Sequence, residues 1–397
     1  MKIKVGVIYG GSSVEHEVSI ITAVQAMSFM DTEKYDVVPI YITKDRQWYT
    51  GKMLMDMEVY KDFDSLKKYA KTVCLTNIDG EYCLQATKGI FRKIIDKIDI
   101  AFPIVHGKGV EDGSLEGYLE SVGIPTVGPS ILGAAVGQDK IVMKQILDSY
   151  KIPNPAYTWF FDFEYQQDSE TIIKNIEKLK YPVIIKPARL GSSVGIKIAK
   201  DRNELVVAIE DAIKYDSKIL VETVIKDLKE VNCAVVGNSE YQETSLIALM
   251  KTKNEFLTYE DKYLSGGKGK KGIKGTKGGN MSTSEFDIPA KISKELEDEV
   301  KCLAKKTFKA LDLSGVARID FLIDNKTNKV YVNEPNTIPG SLSFYLFKPA
   351  GKEYKALLDE MITMAIKKYK NDSKKISSFE SNILSTYNGS KGFKGKI

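Results

Sequence analysis

Residues 317–336 read ARIDFLIDNKTNKVYVNEPN, and this stretch decides how the C-terminal part of the chain folds. Two apolar, β-branched runs flank a short polar turn at 325–328, a pattern that predicts two antiparallel strands. Side chains alternate along a strand with period two, so Arg318 and Asp320 share a face of the first strand. The same spacing predicts a shared face on the second strand for Val330, Val332, Glu334 and Asn336.

Charged and amide side chains of these two strands can converge. Asp320, Glu334 and Asn336 supply the hard oxygen ligands that suit Mg²⁺, which completes its shell with waters and nucleotide phosphates. Arg318 beside them could stabilise negative charge that develops in a transition state. The alternative is a pair of exposed strands with solvated charges. We favour the metal site, because the charges interrupt apolar strands and buried carboxylates are costly unless they are paired.

A glycine- and serine-rich tip, RLGSSVG at 189–195, joins two strand-like runs within 181–200 and predicts a β-hairpin. The backbone N–H groups of such a tip can wrap a phosphate, and Lys186 on the incoming strand could face it. An ordinary surface hairpin with an exposed lysine explains the same residues. The tip alone leaves both interpretations open.

The N-terminal segment alternates strand and helix patterns. Strands are predicted at Lys2–Tyr9, Asp36–Thr43 and Ile98–His106, with a helix at Glu17–Met30. Pro39 would place the second strand near an edge. Such alternation is typical of a parallel sheet that binds ligands at the carboxyl ends of its strands. The loops at 10–17 and 106–113 lie at two such ends. Further helices are predicted at Asp139–Tyr150, Asp201–Tyr215, Ala290–Leu311 and Glu353–Lys370.

Composition narrows the class of protein. The 397 residues suffice for two or three domains, and 43% apolar with 28% charged residues is ordinary for globular proteins. The four cysteines have no CxxC spacing, and two histidines cannot form a His-rich metal site. No apolar run approaches the ~20 residues of a membrane span. We therefore expect a cytoplasmic protein without a membrane-spanning segment.

Two lysine- and glycine-rich segments, 265–279 and 387–397, account for the net charge of +5. They hold eight of the 58 basic residues, which leaves 50 against 53 acidic residues elsewhere. Nucleic acid is therefore not an expected partner. The first segment follows YEDKY at 259–263 and could be an active-site lid, a basic tether or a solvated loop.

Four motifs, in this order, resemble the D-alanine–D-alanine ligase family of ATP-grasp enzymes. They are GGSSVEHEVS at 10–19, FPIVHGKGVEDGSLEG at 102–117, KPARLGSSVG at 186–195 and RIDF…NEPNTIPG within 318–340. The resemblance implies an α/β fold, with a Rossmann-like N-terminal (pre-ATP-grasp) domain followed by a two-lobed ATP-grasp fold. The expected domains are 1–128, 129–220 and 221–397, with a lid at about 256–284.

The resemblance also implies a reaction. ATP phosphorylates the carboxylate of a first D-alanine, and the amine of a second D-alanine attacks this acyl phosphate. The product is D-alanyl-D-alanine, a precursor of peptidoglycan. Amino acids are then the small-molecule partners, and ATP and two Mg²⁺ are the cofactors, with Mn²⁺ able to substitute. A homodimer is one option for the assembly.

Residue roles follow from the matching motifs. Glu15 would hold the ammonium of the first amino acid, and Ser192 and Tyr263 would complete a hydrogen-bonded group with it. His106 would lie near that substrate, and Arg318 with the backbone N–H of Gly340 would form the oxyanion site. The nucleotide would be bound by Lys140, Lys186, Ser193, Glu222, Glu230 and Lys262, and the two Mg²⁺ by Asp320, Glu334 and Asn336.

One stretch departs from the family pattern. After Pro-Gly the family has a Ser-Leu pair whose Ser holds the carboxylate of the second amino acid, whereas Tyr345 precedes Leu346 here. A phenol is bulkier, so the second pocket could accept D-serine or another amino acid. Tyr263 in the lid goes with amine acceptors in this family and predicts a peptide bond. A non-catalytic nucleotide-binding protein is a weaker alternative, as is a dinucleotide-dependent oxidoreductase, for which IYGGSSVE lacks the GxGxxG spacing.

Overall fold

The structure is a computed structural model that describes residues 2–89, 92–251 and 286–376. Its N-terminal sheet contains β1 (Ile3–Gly10), β2 (Tyr35–Ile42), β3 (Trp48–Thr50), β4 (Lys71–Ile78), β5 (Glu81–Ala86), β6 (Ile94–Ile98) and β7 (Ile100–Val105). The strands lie in the order β6-β5-β4-β3-β2-β1-β7. Parallel pairing joins β1 to β2 and to β7, which brings the loops at 10–17 and 106–113 to the same edge.

Two expectations for this sheet are wrong. The sheet is parallel only at β2, β1 and β7, because β3 to β6 pair antiparallel. The second strand is also interior rather than near an edge. Its antiparallel pairing with β3 begins at Ile40, one residue after Pro39, so that ladder needs no N–H from the proline. The Thr50 hydroxyl donates to the Pro39 carbonyl at 2.8 Å.

Two antiparallel sheets follow. The central sheet has the order β10-β9-β11-β8 and consists of β8 (Tyr157–Phe161), β9 (Val183–Pro187), β10 (Lys197–Ala199) and β11 (Lys218–Thr223). The C-terminal sheet has the order β14-β13-β12-β15-β16 and consists of β12 (Leu228–Gly237), β13 (Gln242–Met250), β14 (Phe286–Asp287), β15 (Gly315–Asp324) and β16 (Lys329–Asn336). The predicted hairpin β9–β10 and the predicted antiparallel pair β15–β16 are confirmed.

Helices cover these sheets and are defined by local capping. They are α1 (His16–Phe29), α2 (Phe63–Tyr69), α3 (Ser114–Val122), α4 (Ile131–Gln138), α5 (Lys140–Ser149), α6 (Asp162–Gln167), α7 (Ser169–Glu177), α8 (Arg202–Ala212), α9 (Lys294–Ala310), α10 (Phe344–Phe347) and α11 (Tyr354–Asp372). Asp139 caps α5 by accepting from Ile141 N at 3.0 Å. Asp201 caps α8 by accepting a hydrogen bond from Glu204 N. Among the helices that the structure describes, none has the length and apolar character needed to cross a bilayer.

The N-terminal and C-terminal parts share one hydrophobic core. Helix α11 contributes Leu357, Leu358 and Met361 to the same buried cluster as Ile20 and Met27 of α1. Asp359 of α11 also accepts hydrogen bonds from two residues that precede or begin β2, Lys34 Nζ and Tyr35 OH. Burying large apolar side chains stabilises such an interface by about 1.5–3 kcal/mol each. The shared core holds the two parts together beside the site described next.

Candidate active site

Glu15 and Ser192 meet between two sheets. Glu15 lies in the loop from β1 to α1, and Ser192 lies at the tip of the β9–β10 hairpin, where its φ of 54° is in the left-handed region. The Ser192 hydroxyl donates a hydrogen bond to Glu15 Oε1. A methyl group at Gly191 would lie 2.9 Å from Glu15 Oε2, and one at Gly107 would lie 3.0 Å from it. The absence of side chains at both glycines therefore leaves room for the carboxylate.

His106 directly follows β7 and precedes Gly107, the glycine that lies against the Glu15 carboxylate. Its ring is only 5% exposed, and neither ring nitrogen reaches hydrogen-bond geometry with another described residue. Burial lowers the pKa of His106 to about 4, with the Pro339 carbonyl opposing this shift and Arg318 adding to it. The imidazole is therefore neutral at neutral pH, and it places no positive charge beside the predicted ammonium site.

Arg318, Asp320, Glu334 and Asn336 form a polar face on β15 and β16. The side chains that share this face differ from those that the sequence predicts. Asp320 is paired with Glu334 and Arg318 with Asn336, so these four side chains share a face. A β-bulge at Asn333 interrupts the alternation, because Phe321 is already paired with Val332. The prediction that Val330 and Val332 share a face with Glu334 and Asn336 is therefore wrong. The two valines point into the core, and the bulge turns Glu334 to the site.

Asp320 is held by three side chains. Arg318 donates to both carboxylate oxygens, at 2.7 Å from Nε and 2.8 Å from Nη2. Asn336 Nδ2 donates to Oδ2 at 3.1 Å, and Asn232 from β12 donates to Oδ1. Burial would lower the pKa of Arg318, but Asp320 and the neighbouring Tyr345 hydroxyl raise it above its usual range. The guanidinium is permanently charged and is fixed in orientation.

A second group consists of Lys140, Lys144, Lys186 and Glu222, and we name it the nucleotide-side cluster after the role expected from the resemblance for Lys140, Lys186 and Glu222. Glu222 contacts the ammonium groups of Lys144 and Lys186, and all three side chains are at least nine-tenths buried. Burial would raise the pKa of Glu222, but the two lysines lower it to about 2. Burial would also lower the pKa of Lys186, yet Glu222 and Glu334 raise it. Lys140 Nζ lies 3.1 Å from Glu334 Oε2 and so connects this cluster to the polar face.

Gly340 begins a strained turn. The next three residues, Ser341, Leu342 and Ser343, have φ of 52°, 48° and 51°, which residues with a side chain rarely adopt. Ser341 N donates to Thr22 Oγ1 of α1 at 3.1 Å, and Leu342 N donates to the Pro339 carbonyl at 2.8 Å. Such backbone strain persists only where the surroundings fix it, and it clusters at functional sites.

The remaining predicted residues are distributed as follows. Tyr345 and Leu346 lie on α10, with the Tyr345 ring 6.0 Å from that of Phe286 and Leu346 fully buried. Ser193 follows Ser192 at the hairpin tip, with φ of 59°, and Glu230 lies on β12 opposite Leu322 of β15. Lys262, Tyr263 and the lid at about 256–284 lie outside the described residues.

The donor set on the polar face fits Mg²⁺. The described residues contain no group of three or more His, Cys, Asp or Glu side chains that could hold a metal. Two opposed carboxylates, Asp320 and Glu334, with the amide of Asn336 are nevertheless sufficient, because Mg²⁺ bound with phosphates needs only one or two protein carboxylates. Both carboxylates already form ion pairs, Asp320 with Arg318 and Glu334 with Lys140. Their oxygens are the hard ligands that this metal prefers.

Three residues of the site were missed by sequence reasoning. Lys144 lies one helical turn after Lys140 on α5, and a lysine on the apolar face of a helix was an available signal. No local sequence pattern marks Asn232 as a site residue, because only the pairing of β12 with β15 brings it to Asp320. Glu111 lies within a motif that was recognised, but nothing in that motif distinguishes it from a surface acid.

Comparison with known proteins identifies the class and then the family. A family model described as "D-ala D-ala ligase N-terminus" matches residues 4–129, and one described as "D-ala D-ala ligase C-terminus" matches residues 146–363. A D-alanine–D-alanine ligase from Thermosipho melanesiensis is 41% identical over 386 residues, 96% of this chain and 98% of that protein. One from Caldicellulosiruptor bescii is 40% identical, over 92% of this chain and 96% of that protein.

Solved structures agree. The D-alanine–D-alanine ligase from Coxiella burnetii has a TM-score of 0.77 at 26% identity and covers 94% of this chain and 96% of its own. The VanG D-Ala:D-Ser ligase from Enterococcus faecalis has a TM-score of 0.75 at 31% identity, and the match covers 92% of this chain and 100% of that one. The fold is thus a mixed α/β fold of the ATP-grasp class with an N-terminal domain. The chain belongs to the D-alanine–D-alanine ligase family.

Proposed function

We propose that this protein joins two D-alanines to D-alanyl-D-alanine with conversion of ATP to ADP and phosphate, for peptidoglycan precursor synthesis in the cytoplasm. The observation that carries the proposal is the Glu15–Ser192 contact, which joins the loop after β1 to the tip of the β9–β10 hairpin. Lys186 lies on β9 of the same hairpin, so this hairpin connects an anionic amino-acid site with a cationic phosphate site. This is the arrangement that phosphorylation of a carboxylate requires.

The chain's own residues can bind the first D-alanine at both ends. Its ammonium binds the Glu15 carboxylate, and its carboxylate faces Arg318 and the N–H of Gly340. The carboxylate takes the γ-phosphoryl group of ATP, and ADP leaves. The amine of the second D-alanine then attacks the carbonyl carbon, and phosphate departs with the proton that this amine loses. Fixed donors that face the oxyanion stabilise the tetrahedral intermediate without reorganisation.

The nucleotide-side cluster binds ATP in this proposal. Lys140 and Lys186 contact its phosphates, Glu222 and Glu230 contact adenine and ribose, and Ser193 contributes a hairpin contact. Asp320, Glu334 and Asn336 would hold two Mg²⁺, which neutralise the phosphate charge when they are bound. Lys262 would contact the transferring phosphoryl group, and Tyr263 would complete the group around Glu15. Domains at 1–128, 129–220 and 221–397 and a homodimer remain part of the proposal.

A different second substrate is the other candidate, and Tyr345 favours it. Its hydroxyl is buried beside Arg318, at the place where the family has a serine for the second carboxylate. One solved relative is named a D-Ala:D-Ser ligase. A phenol at this position changes the volume of the pocket without removing Arg318, so the acceptor could change while the ATP chemistry stays.

One experiment separates these functions. Phosphate release from ATP and Mg²⁺ is measured with D- and L-amino acids, singly and in pairs, and products are identified by mass spectrometry. D-alanyl-D-alanine from D-alanine alone supports the main proposal, and preferential D-alanyl-D-serine in a competition supports the alternative. Efficient ester formation with D-lactate would contradict the amine-acceptor interpretation. Absence of turnover with every pair would contradict both candidates.

A further inference from the structure

Glu111 connects the first-substrate loop to the segment that leads to Gly340. Its Oε2 accepts a hydrogen bond from Gly107 N at 2.8 Å, within its own loop. Its Oε1 accepts from Ile338 N at 3.1 Å and from Thr337 Oγ1 at 3.2 Å, more than 220 residues away in sequence. One carboxyl group thus joins the loop that carries His106 to the strained turn that Gly340 begins.

A buried carboxyl group is a costly way to make this connection. Glu111 is 9% exposed, and no described residue forms an ion pair with it. Burial raises the pKa of Glu111 to about 8, and the negative charge of Glu15 adds to the shift. A glutamine of the same size could also reach both loops, but it would present an NH₂ group instead of an acceptor to one of the two backbone N–H donors.

The two segments that Glu111 joins bind opposite ends of one small molecule in the proposed reaction. The ammonium of D-alanine is two bonds from its carboxyl carbon, so Glu15 and the oxyanion donors must keep a fixed separation. They belong to different sheets, and a displacement of about 1 Å can cost a factor of about 100 in rate. The turn after Gly340 is strained, which makes its position depend on such tethers.

We propose that Glu111 is a positioning residue that fixes the separation between the Glu15 ammonium site and the oxyanion donors at Arg318 and Gly340. This inference rests on the proposed function. It assigns Glu111 no contact with substrate. Its effect is on kcat, because misalignment of a bound amino acid slows chemistry more than it weakens ATP binding.

The test compares three variants with the wild-type protein. Glu111→Gln keeps the size of the side chain but replaces one of its two acceptor oxygens with an NH₂ group. That NH₂ group then faces a backbone N–H, either of Gly107 or of Ile338, and cannot accept its hydrogen bond. Glu111→Asp keeps the carboxyl group but is one methylene too short to reach both loops. Glu116→Gln is the matched control, because Glu116 is also buried, at 3% exposure, and contacts neither Thr337 nor Ile338. Thermal melting and circular dichroism check the fold of each variant.

We expect Glu111→Gln and Glu111→Asp to lower kcat about 10- to 100-fold, while the KM for ATP changes less than about twofold. Glu116→Gln should keep wild-type kcat. Wild-type kcat in both folded Glu111 variants, an equal loss in Glu116→Gln, or a parallel rise of the KM for ATP would overturn the inference. If Glu111→Gln fails to fold, Glu111→Asp decides. A wild-type protein inactive with D-alanine contradicts the proposed function instead, and the variants are then compared with the amino-acid pair that the wild type uses.

Discussion

The two sides of the proposed cleft differ in how their buried charges are balanced. The nucleotide-side cluster pairs Glu222 with two lysines, and Lys140 contacts Glu334. The amino-acid side, consisting of Glu15, His106 and Glu111, contains two carboxyl groups and a neutral imidazole, and no described cation forms an ion pair with any of them. One side is compensated by the protein itself, and the other holds the Glu15 carboxylate without an ion pair to any described cation.

This difference indicates what each side binds. A buried carboxylate between two lysines is stable only as a set, so the nucleotide-side cluster is formed before any ligand arrives. An anionic site without a protein cation favours a positively charged ligand, because the ligand supplies the opposite charge that no described side chain supplies. The ammonium group of an amino acid is such a ligand. The predictions below test each side separately.

The largest expected effect is on the polar face. Glu334→Gln removes a carboxylate that would hold Mg²⁺ and that attracts Lys140, but it leaves the packing of β16 unchanged. We expect turnover to fall by about 100-fold or more, since the lost charge stabilisation amounts to several kcal/mol. Steady-state phosphate release over a Mg²⁺ titration measures this effect. Asp324→Asn, at the far end of β15, is the control, and equal activity in the two variants would refute the metal assignment.

The compensated side is tested by removing one of its lysines. Lys144→Met leaves Glu222 buried with only Lys186 as partner, and breaking a buried ion pair costs about 3–5 kcal/mol. Urea unfolding of the wild type and the variant measures the free energy of unfolding. Burial lowers the pKa of Lys144 despite Glu222, so some of this penalty is already present in the wild type.

Lys61→Met is the matched control for that experiment. Lys61 pairs with Glu58 at 2.6 Å, but both side chains are about 70% exposed. Exposed pairs contribute less than about 1 kcal/mol. Similar losses in the two lysine variants would show that the Lys144–Glu222 pair is not a buried, coupled unit, and the contrast between the two sides would then be unsupported.

Sequence reasoning found the elements of this site better than their connections. The strands β15 and β16 follow from alternation and turn residues, which are local properties. The bulge at Asn333 could not be foreseen, because a single inserted residue leaves the pattern of the strand intact while it reverses the facing of Glu334. Glu111 and Asn232 act on residues distant in sequence, and no local pattern records such a partner. The family motifs gave the site residues by resemblance, but not these contacts.

The helix α3, which follows the loop of Glu111, can be examined through pH. Burial raises the pKa of Glu116 to about 7 from an ordinary value near 4.5. Between these values the folded protein retains a proton that the unfolded chain has lost, so the contribution to stability is complete below pH 4.5 and disappears as the pH rises through 7. Between pH 5 and 7.5 this group lowers the free energy of unfolding of the wild type by about 1–3 kcal/mol, and Glu116→Gln should not show that decrease.

Urea unfolding at both pH values measures that difference. Other titrating groups, including His106 and Glu111, are common to both proteins and cancel. Glu120→Gln, which is exposed on the same helix, should follow the wild type. An unchanged pH dependence in Glu116→Gln would mean that this carboxyl group ionises freely and that its burial does not raise its pKa.

The smallest expected effect concerns the space around Glu15. Gly191→Ala would place a methyl carbon 2.9 Å from Oε2 and 3.2 Å from Oε1 of that carboxylate. Because the carboxylate is the far end of a flexible side chain, it can shift at little cost to stability, but it moves away from the ammonium that it would bind. We expect the KM for the first D-alanine to rise by about three- to tenfold, which corresponds to about 1 kcal/mol, with an unchanged melting temperature and KM for ATP. If the KM for ATP rises instead, the hairpin tip acts mainly on the nucleotide, and Glu15 is not the residue that senses the change.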